Sequence, residues 1–260
     1  MSYICPMCNG KIVICEDYYI CMDCAYRLDN LDNLKLFPNE DKNFKPLLVN
    51  YLGNNDVLNM IKATRVSHDS LDKMDSYVDE YLEFHLGKKD EKLLNYIIKH
   101  DHTSILEHFV FQYEIEMPRY LLQEFARHRI GVSMTVKSTR YTLKEIFKTD
   151  DLSQFLFRDE NEIVNNISLF TLEKIKSEFE DKFQNKLMNI DTIKKPIPET
   201  YMTHLFVTVN ARALRHMFKL RSHKSAHPDF RKLMKLIYSV TPKVYRDIIL
   251  YDLDLWRHHE

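Results

Sequence analysis

Residues 127–141 read RHRIGVSMTVKSTRY and form the densest basic stretch of the chain. Arg127, His128 and Arg129 stand at its start and Arg140 near its end, with several hydroxyl side chains between them. Forked guanidinium groups, an imidazole and hydroxyls suit an anion such as a nucleotide phosphate. Charged runs are also typical of solvated turns. The stretch by itself therefore leaves two interpretations open, a phosphate site and a solvated basic turn.

A second polar stretch, residues 100–108, reads HDHTSILEH. His102, Glu107 and His108 are residue types that bind metals, but their spacing is not the HExxH pattern of zinc enzymes. Histidines that cap an element or pack in the core are the alternative, and the spacing favours that alternative.

A third stretch, residues 208–221, reads TVNARALRHMFKLR. On a helix, Asn210, Arg212 and His216 lie on roughly one face, with Arg221 just beyond it. An arginine stripe within an otherwise apolar segment is costly unless it meets an anion or a polar partner. The stripe therefore indicates such a partner.

All five cysteines precede residue 25, and four of them form the pairs CPMC and CMDC with twelve residues between the pairs. Cys5, Cys8, Cys21 and Cys24 have the number and spacing of the ligands of a structural zinc ion. The alternatives are an iron–sulfur cluster and disulfides, and the lack of a secretory leader argues against disulfides. Cys15 is interpreted as a packed small residue, because four thiolates already complete a tetrahedral zinc site.

Composition limits the class of protein. The chain has 260 residues and a mass of 31.2 kDa, which fits one globular domain with a small appendage. No apolar run is long enough for a transmembrane helix, and a net charge of -1 argues against general binding to nucleic acid or membrane. Four glycines exclude a Walker loop and a GxGxxG dinucleotide fold. We therefore expect a cytoplasmic protein that holds any phosphate with side chains.

The expected organisation is a zinc-ribbon-like module at residues 1–32, a polar linker at 33–46 and a main domain at 47–260. The predicted fold class is α+β, mostly helix with a few strands. The expected elements are a strand ending at Gly53, a helix capped by Asn55 or Asp56, helix over 71–100 with a break at Gly87, a strand over 109–116, a helix over 119–129, a long helix over 160–190 and a strand-like or helical segment over 203–220.

Five blocks of the main domain, taken together and in order, resemble the flavin-dependent thymidylate synthases. The blocks are residues 64–67 (TRVS), 102–108 (HTSILEH), 127–129 (RHR), 138–141 (STRY) and 208–221. The resemblance implies a homotetramer whose active sites are shared between chains, with nucleotide and folate as small-molecule substrates. It also implies a methyltransferase reaction in which FAD, NADPH and methylenetetrahydrofolate deliver a one-carbon unit to C5 of dUMP, giving dTMP.

The resemblance also implies roles for individual residues. The implied flavin contacts are Ser67, His102, Ser104, Glu107, His128, Arg129, Asn210, Arg212 and His216. The implied nucleotide contacts are Glu124, Ser138, Thr139, Arg140 and Lys194. The implied catalytic residues are Arg127, between flavin and nucleotide, and Arg221, which polarises the pyrimidine. Arginines at these positions would stabilise negative charge that develops on the ring.

The sequence departs from the family pattern at several of these positions. Eight residues separate RHR from Ser138 where the family has seven, so the additional residue is expected to bulge or to shift the register of the segment after it. Thr135 and Val136 stand where the family has Asn-Glu, Glu124 where it has Gln, and Lys194 where it has Arg. Residues 226–229 (AHPD) replace its AQxE element.

These departures keep alternatives open beside dTMP formation. One is methylation or hydroxymethylation of another pyrimidine nucleotide such as dCMP. Another is a non-catalytic homologue that binds nucleotides or nucleic acid, for which the aromatic and basic residues of the 1–32 module would be the contact. Acidic residues in that module interrupt any basic stripe, so a structural or oligomer-contact role is favoured for it.

Overall fold

In the computed structural model of the protein, the described residues are 43–54, 57–81 and 83–255, together with the backbone of five short strands between residues 2 and 37. Of the predicted zinc ligands, Cys5, Cys8 and Cys24 lie outside the described residues, and only the backbone of Cys21 is described. The predicted caps Asn55 and Asp56 also lie outside them.

The amino-terminal strands form one antiparallel sheet. They are β1 (Ser2–Ile4), β2 (Lys11–Ile14), β3 (Tyr19–Cys21), β4 (Arg27–Leu28) and β5 (Lys35–Phe37), in the order β4-β3-β2-β1-β5. In its register, Cys21 lies opposite Ile12 and Tyr3 lies opposite Leu36. Strand β5 falls within the segment predicted as a linker.

The remaining elements follow in chain order. The strands are β6 (Leu48–Asn54), β7 (Tyr77–Val78), β8 (Phe84–His85), β9 (Val110–Pro118), β10 (Val132–Val136) and β11 (Met202–Asn210). The α-helices of the described residues are α1 (Val57–Ser67), α2 (Lys88–Lys99), α3 (Arg119–Phe125), α4 (Thr139–Thr142), α5 (Glu162–Gln184), α6 (Ile190–Ile193), α7 (Ala211–Arg221), α8 (Pro228–Val240) and α9 (Lys243–Leu250). Single 3₁₀ segments span Leu71–Lys73, Thr103–His108, Leu143–Lys148 and Ser153–Phe155. The predicted α+β class is confirmed.

A four-stranded sheet with the order β10-β11-β9-β6 carries the segments of interest. Strand β9 alternates buried and partly exposed side chains from Phe111 to Met117, as expected for a strand with one face in a core. The Arg119 N–H donates to the Tyr201 carbonyl (3.0 Å) and the Ala211 N–H to the Phe109 carbonyl (2.7 Å). Both bonds join residues of β9 and β11 or residues directly beside their ends, in keeping with the neighbouring positions of these strands in the sheet.

Several predicted elements are confirmed with changed ends. The strand over 109–116 and the long helix over 160–190 correspond to β9 and α5, and the predicted 119–129 helix ends at Phe125. The ambiguous 203–220 segment is a strand followed by a helix.

The prediction of helix over 71–100 is wrong in its first half. The stretch around residues 77–85 forms a hairpin of β7 and β8 instead. The carboxylate Oδ1 of Asp79 accepts the backbone N–H groups of Tyr81 and Glu83, both at 2.9 Å, and closes the turn. Because such side-chain to backbone bonds compete with helical ones, the helix begins only at Lys88.

The chain divides into two compact units. Unit 1 comprises Met1–Val49, Ile115–Arg127 and Thr135–Phe206, and unit 2 comprises Asn50–Glu114, His128–Met134 and Val207–Glu260. A core of unit 1 lies around α5 and the 3₁₀ segment Leu143–Lys148, which packs on that helix. Its buried residues are Leu143, Ile146, Leu152, Leu156, Leu172, Ile175, Ile193, Ile197 and Tyr201.

Unit 2 has its own core, which is rich in aromatic residues. Its largest fully buried aromatic side chains are Tyr113, Phe109, Phe111, Phe218 and Phe230. The Tyr113 hydroxyl is hydrogen-bonded to Thr241 Oγ1 at 2.8 Å, so its polar end has a partner inside the core. Helix α7 packs against α8, α9 and the 3₁₀ segment Thr103–His108.

Candidate active site

Three of the polar blocks meet where β11 ends in unit 2. The backbone N–H of Asn210 donates to the carbonyl of Gly131 (2.9 Å), and that of Ala211 donates to the carbonyl of Phe109 (2.7 Å). Gly131 follows the RHR block, and Phe109 follows the HTSILEH block. Two backbone bonds at the start of α7 therefore bring together segments that lie about a hundred residues apart in the chain.

Gly131 is required at this junction for two reasons. Its φ of +71° lies in the left-handed region, which glycine adopts without steric cost. A Cβ at this position would lie 2.5 Å from Nδ2 of Asn210. The Asn210 side chain is itself fixed, because its Oδ1 accepts the Ala213 N–H at 2.8 Å and caps α7.

An exposed polar face lies beside this junction. Nη1 of Arg212, in the first turn of α7, donates to Oε1 of Glu107 at 2.5 Å. His216 lies one turn further along α7 and is exposed, as are His102 and Ser104 on the neighbouring 3₁₀ segment. The structure thus brings together five of the predicted flavin contacts, with Asn210 at the head of the helix. Their N–H and O–H groups can meet an anionic or polar ligand.

Arg221, the last residue of α7, is held by an imidazole and an aromatic ring. Its Nε donates to Nε2 of His128 at 3.1 Å, and its guanidinium carbon lies 4.6 Å from the ring centroid of Phe230. Because the Arg221 Nε–H is the donor, Nε2 of His128 is the acceptor in this bond. Phe230, which sequence reasoning missed, is fully buried.

Arg215 on the same helix has a structural role instead. Its guanidinium donates to both carboxylate oxygens of Asp252 at 2.6 and 2.7 Å, and to the Ile249 carbonyl at 2.8 Å. These bonds tie α7 to the end of α9. The arginine stripe therefore divides into two arginines of the polar site and one that anchors the helix.

Ser67 ends α1, and its hydroxyl donates back to the Thr64 carbonyl at 2.8 Å. The helix end is fixed by a buried ion pair in which Nε of Arg65 donates to Oδ1 of Asp90 at 2.6 Å. Oδ2 of Asp90 accepts the backbone N–H groups of Asp75 (2.9 Å) and Ser76 (2.7 Å). Burial raises the pKa of Asp90, but these hydrogen bonds outweigh it and hold that pKa below its usual range.

Unit 1 holds a second group of predicted site residues. Nε of Arg140 donates to Oδ2 of Asp191 at 3.1 Å and Nη2 donates to the same oxygen, while Nζ of Lys194 donates to Oδ1 at 2.7 Å. Two predicted phosphate contacts therefore converge on one carboxylate. The hydrogen bonds from Lys194 and then Arg140 hold the pKa of Asp191 below its usual range. Ser138 and Thr139 lie at the start of α4, which carries Arg140.

The remaining predicted site residues lie in the RHR block and just before it. Glu124 is half-buried on α3, and its carbonyl accepts the Arg127 N–H at 3.3 Å. Its neighbour Gln123 donates from Nε2 to Glu199 at 3.1 Å. The side chains of Arg127, in unit 1, and Arg129, in unit 2, are exposed.

The eight-residue spacer after RHR contains strand β10. Before β10, in unit 2, the Asn210 N–H donates to the Gly131 carbonyl. After β10, in unit 1, the Lys137 N–H donates to the His204 carbonyl at 2.7 Å. Both pairs of numbers sum to 341, so six positions separate the two bonds on each strand. The register relative to β11 is therefore the same at these two bonds.

The described residues include one group of three metal-ligand types within 4.8 Å of one another, Asp79, Glu83 and His85. It lies in the β7–β8 hairpin, where Nε2 of His85 is 2.7 Å from Oδ2 of Asp79. His102, Glu107 and His108 are not part of this group. Among the described helices, none has the length and apolar character needed to cross a membrane.

Residues 47–245 match the protein family described as thymidylate synthase complementing protein. The chain is 42% identical over 172 residues to a protein of Wolinella succinogenes named flavin-dependent thymidylate synthase, a match that covers 62% of this chain and 80% of that one. A protein of the same name from Campylobacter jejuni strain RM1221 is 38% identical over 172 residues, with the same coverage.

A solved structure gives the same similarity in three dimensions. Thymidylate synthase X of Helicobacter pylori, crystallised with FAD and dUMP, superposes with a TM-score of 0.67 at 29% sequence identity. The match covers 78% of this chain and 97% of that chain.

Proposed function

We propose that this chain, which belongs to the thymidylate synthase complementing protein family, acts as a flavin-dependent thymidylate synthase through the two groups of side chains described above. The enzyme methylates C5 of dUMP with FAD as its cofactor and gives dTMP. The observation that carries this proposal is the junction at the end of β11, where two backbone bonds bring three of the family's blocks together.

The residues of unit 2 fit a flavin dinucleotide. The cationic and hydroxyl side chains of Arg212, His216 and Ser104 are exposed on two adjoining elements, and they are suitable donors for a pyrophosphate and for ring carbonyls. When bound, FAD supplies the hydride that reduces the one-carbon unit on the pyrimidine. The ion pair with Glu107 orients the Arg212 guanidinium before any ligand arrives.

Arg221 is assigned to the pyrimidine. Its guanidinium donates to Nε2 of His128 and lies over the Phe230 ring, so these two contacts orient it. A cation fixed in this way stabilises negative charge that develops on the base as its C5 becomes nucleophilic. Arg127, which is exposed, is assigned to the region between flavin and nucleotide.

Arg140 and Lys194 of unit 1 are assigned to the nucleotide phosphate, with Ser138, Thr139 and Glu124 as further nucleotide contacts. Their convergence on one carboxylate supports this assignment, because the arrangement of donors suits any compact anion. Ser138 is a binding hydroxyl in this scheme, since the sequence places no base beside it that would activate it as a nucleophile. In a homotetramer with shared sites, the two groups need not come from one chain.

Three further components belong to the proposal. Methylenetetrahydrofolate is the one-carbon donor and NADPH the reductant, in keeping with the family resemblance. The four cysteines of the CPMC and CMDC pairs bind one structural zinc ion in the predicted module at residues 1–32, whose sheet extends into the segment 33–46 through the pairing of β5 with β1. The spacing of the cysteines supports the zinc assignment.

The test is an anaerobic reaction with FAD, NADPH and methylenetetrahydrofolate in which dUMP and dCMP are offered together and the products are identified by mass spectrometry. We expect dTMP. Arg221→Ala should keep its bound FAD and lose turnover by about 10²–10³-fold, as when one preorganised electrostatic contact is removed. Lys219→Ala, an exposed cation on the same helix, is the matched control. Modified dCMP without dTMP, or normal turnover of Arg221→Ala, would contradict the proposal.

A further inference from the structure

Asp191 occupies the place between the two cations that are assigned to the nucleotide phosphate. Both Nε and Nη2 of Arg140 point at its Oδ2, and Nζ of Lys194 points at its Oδ1. All three side chains are partly exposed, with 59%, 38% and 36% of the Arg140, Lys194 and Asp191 side chains accessible. Solvent and a ligand can therefore reach the ion pairs.

The donors that Asp191 uses are the ones that a phosphate would need. The Nε and Nη2 edge of a guanidinium is the edge that binds oxyanions in a forked geometry. Because Asp191 carries a full negative charge at neutral pH, it also repels a phosphate dianion that approaches the same cations. Nucleotide and Asp191 therefore cannot both use this edge of Arg140.

The two ion pairs differ in how easily they can separate. Asp191 and Lys194 lie three positions apart around the single turn of α6, so their link is short and local. Arg140 reaches Asp191 from α4, 51 positions away in the chain. The Arg140 contact is consequently the one that can exchange Asp191 for a ligand while α6 stays folded.

We propose that Asp191 is an internal competitor for the nucleotide phosphate, which pairs with Arg140 and Lys194 until a nucleoside monophosphate displaces it from Arg140. The inference rests on the proposed function, because it takes Arg140 and Lys194 as phosphate contacts. Its consequence is selectivity. An isolated small anion must displace the internal carboxylate with its charge alone, whereas a nucleoside monophosphate can offset that cost through the contacts of its base, so isolated small anions are disfavoured.

The test is Asp191→Asn in the full-length, FAD-loaded protein, with dUMP and deoxyuridine as the probes. Loss of the competing charge should tighten dUMP binding by about 1.5- to fivefold, the range expected for releasing one exposed ion pair. Deoxyuridine, which has no phosphate, should bind with unchanged affinity. Asp150→Asn, an exposed aspartate of the same unit that pairs with Lys176, is the control and should change neither affinity.

Variants of Arg140 separate the competition from the phosphate assignment. If Arg140→Ala weakens dUMP binding but Asp191→Asn weakens it as well, Asp191 orients the cations and the competition is refuted. If Arg140→Ala weakens binding and Asp191→Asn changes nothing, the competition is again refuted while the phosphate assignment stands. If neither Arg140→Ala nor Lys194→Ala affects dUMP binding, the phosphate assignment of the proposed function fails first. Competition further requires that Asp191→Asn have a smaller effect in the Arg140→Ala background.

Discussion

Replacing Asp90 by asparagine tests the buried ion pair that fixes the end of α1. The Arg65 residue is 5% exposed and Asp90 is 1% exposed, and they meet at 2.6 Å. Nη2 of Arg65 is buried without a hydrogen-bond partner, so the guanidinium depends on Asp90 for its compensation. Three N–H donors now converge on the two carboxylate oxygens of Asp90, and an asparagine side chain would offer them only one acceptor oxygen. The substitution would also leave the arginine charge without its counter-charge.

The expected loss is large for a single substitution. Breaking a buried pair by removing one charge costs about 3–5 kcal/mol, because the other charge stays desolvated. For a chain of this size, each kcal/mol lowers the unfolding midpoint by about 2–4 °C, which predicts a decrease of about 6–20 °C. Differential scanning calorimetry of the FAD-loaded protein measures it. The control is Glu80→Gln, an exposed carboxylate in the β7–β8 turn. A decrease below about 2 °C for Asp90→Asn would refute the compensating role of this carboxylate.

The same pair predicts the pH dependence of this loss. Burial raises the pKa of Asp90, but the hydrogen bonds from Ser76, Asp75 and Arg65 bring it below the usual value of 3.8. A carboxylate with a lowered folded pKa contributes stability above its unfolded pKa and loses it as pH falls through the folded pKa. The stability difference between the native protein and Asp90→Asn should therefore be constant from about pH 5 to 7 and shrink below about pH 4. A stability difference between the two proteins that grows as the pH falls would contradict a lowered pKa for Asp90.

Three further predictions concern separate parts of the chain. Phe230→Leu should lower kcat about two- to thirtyfold at unchanged FAD content and unchanged KM for dUMP, because a cation–π contact with Arg221 is worth about 0.5–2 kcal/mol. Phe230→Tyr keeps an aromatic ring and should restore kcat. Equal losses of kcat in both variants would argue against the contact. Gly131→Ala should reduce FAD content and the unfolding midpoint more than Gly53→Ala. Both glycines have a positive φ (71° and 135°), but of these two positions a Cβ meets another side chain only at 131. A larger decrease in Gly53→Ala would contradict this prediction. The cysteine spacing predicts one zinc per chain by elemental analysis, lost in Cys5→Ser, and a metal-free protein that folds normally would refute it.

Sequence periodicity predicted the elements whose stability comes from one buried face. Strand β9 alternates over nine residues and α5 runs for 23, so each carries a long periodic signal. The same reasoning failed for residues 71–87, where Asp79 closes a hairpin turn by accepting two backbone N–H groups. A bond of this kind depends on one side chain in one place and leaves no periodic trace in the sequence.

The sequence predicted a set of site residues but not the contacts between them. The arginines of α7 look alike in sequence, yet Arg212 pairs with Glu107, Arg215 with Asp252, and Arg221 with a histidine and a phenylalanine ring. These partners lie far from the arginines in the sequence. The separation ranges from 9 positions for Arg221 and Phe230 to 105 positions for Arg212 and Glu107. Asp191 was missed for a different reason. Its spacing of three from Lys194 is a usable helical signal, but its contact with Arg140 requires the fold.

The spacer after the RHR block connects the fold to the proposed nucleotide contacts. The sequence predicted that an eighth residue would either bulge or shift the register of the segment after it, and the backbone bonds at Gly131 and at Lys137 have the same register relative to β11. With the same pairing and a spacer of seven, the serine would stand at position 137, opposite His204 and within the paired stretch. The eighth residue instead carries Ser138 beyond the last backbone bond, where its carbonyl accepts the N–H groups of the first turn of α4. Arg140 on that helix donates to Asp191, so the additional residue places the two proposed phosphate contacts Ser138 and Arg140 after the paired strand.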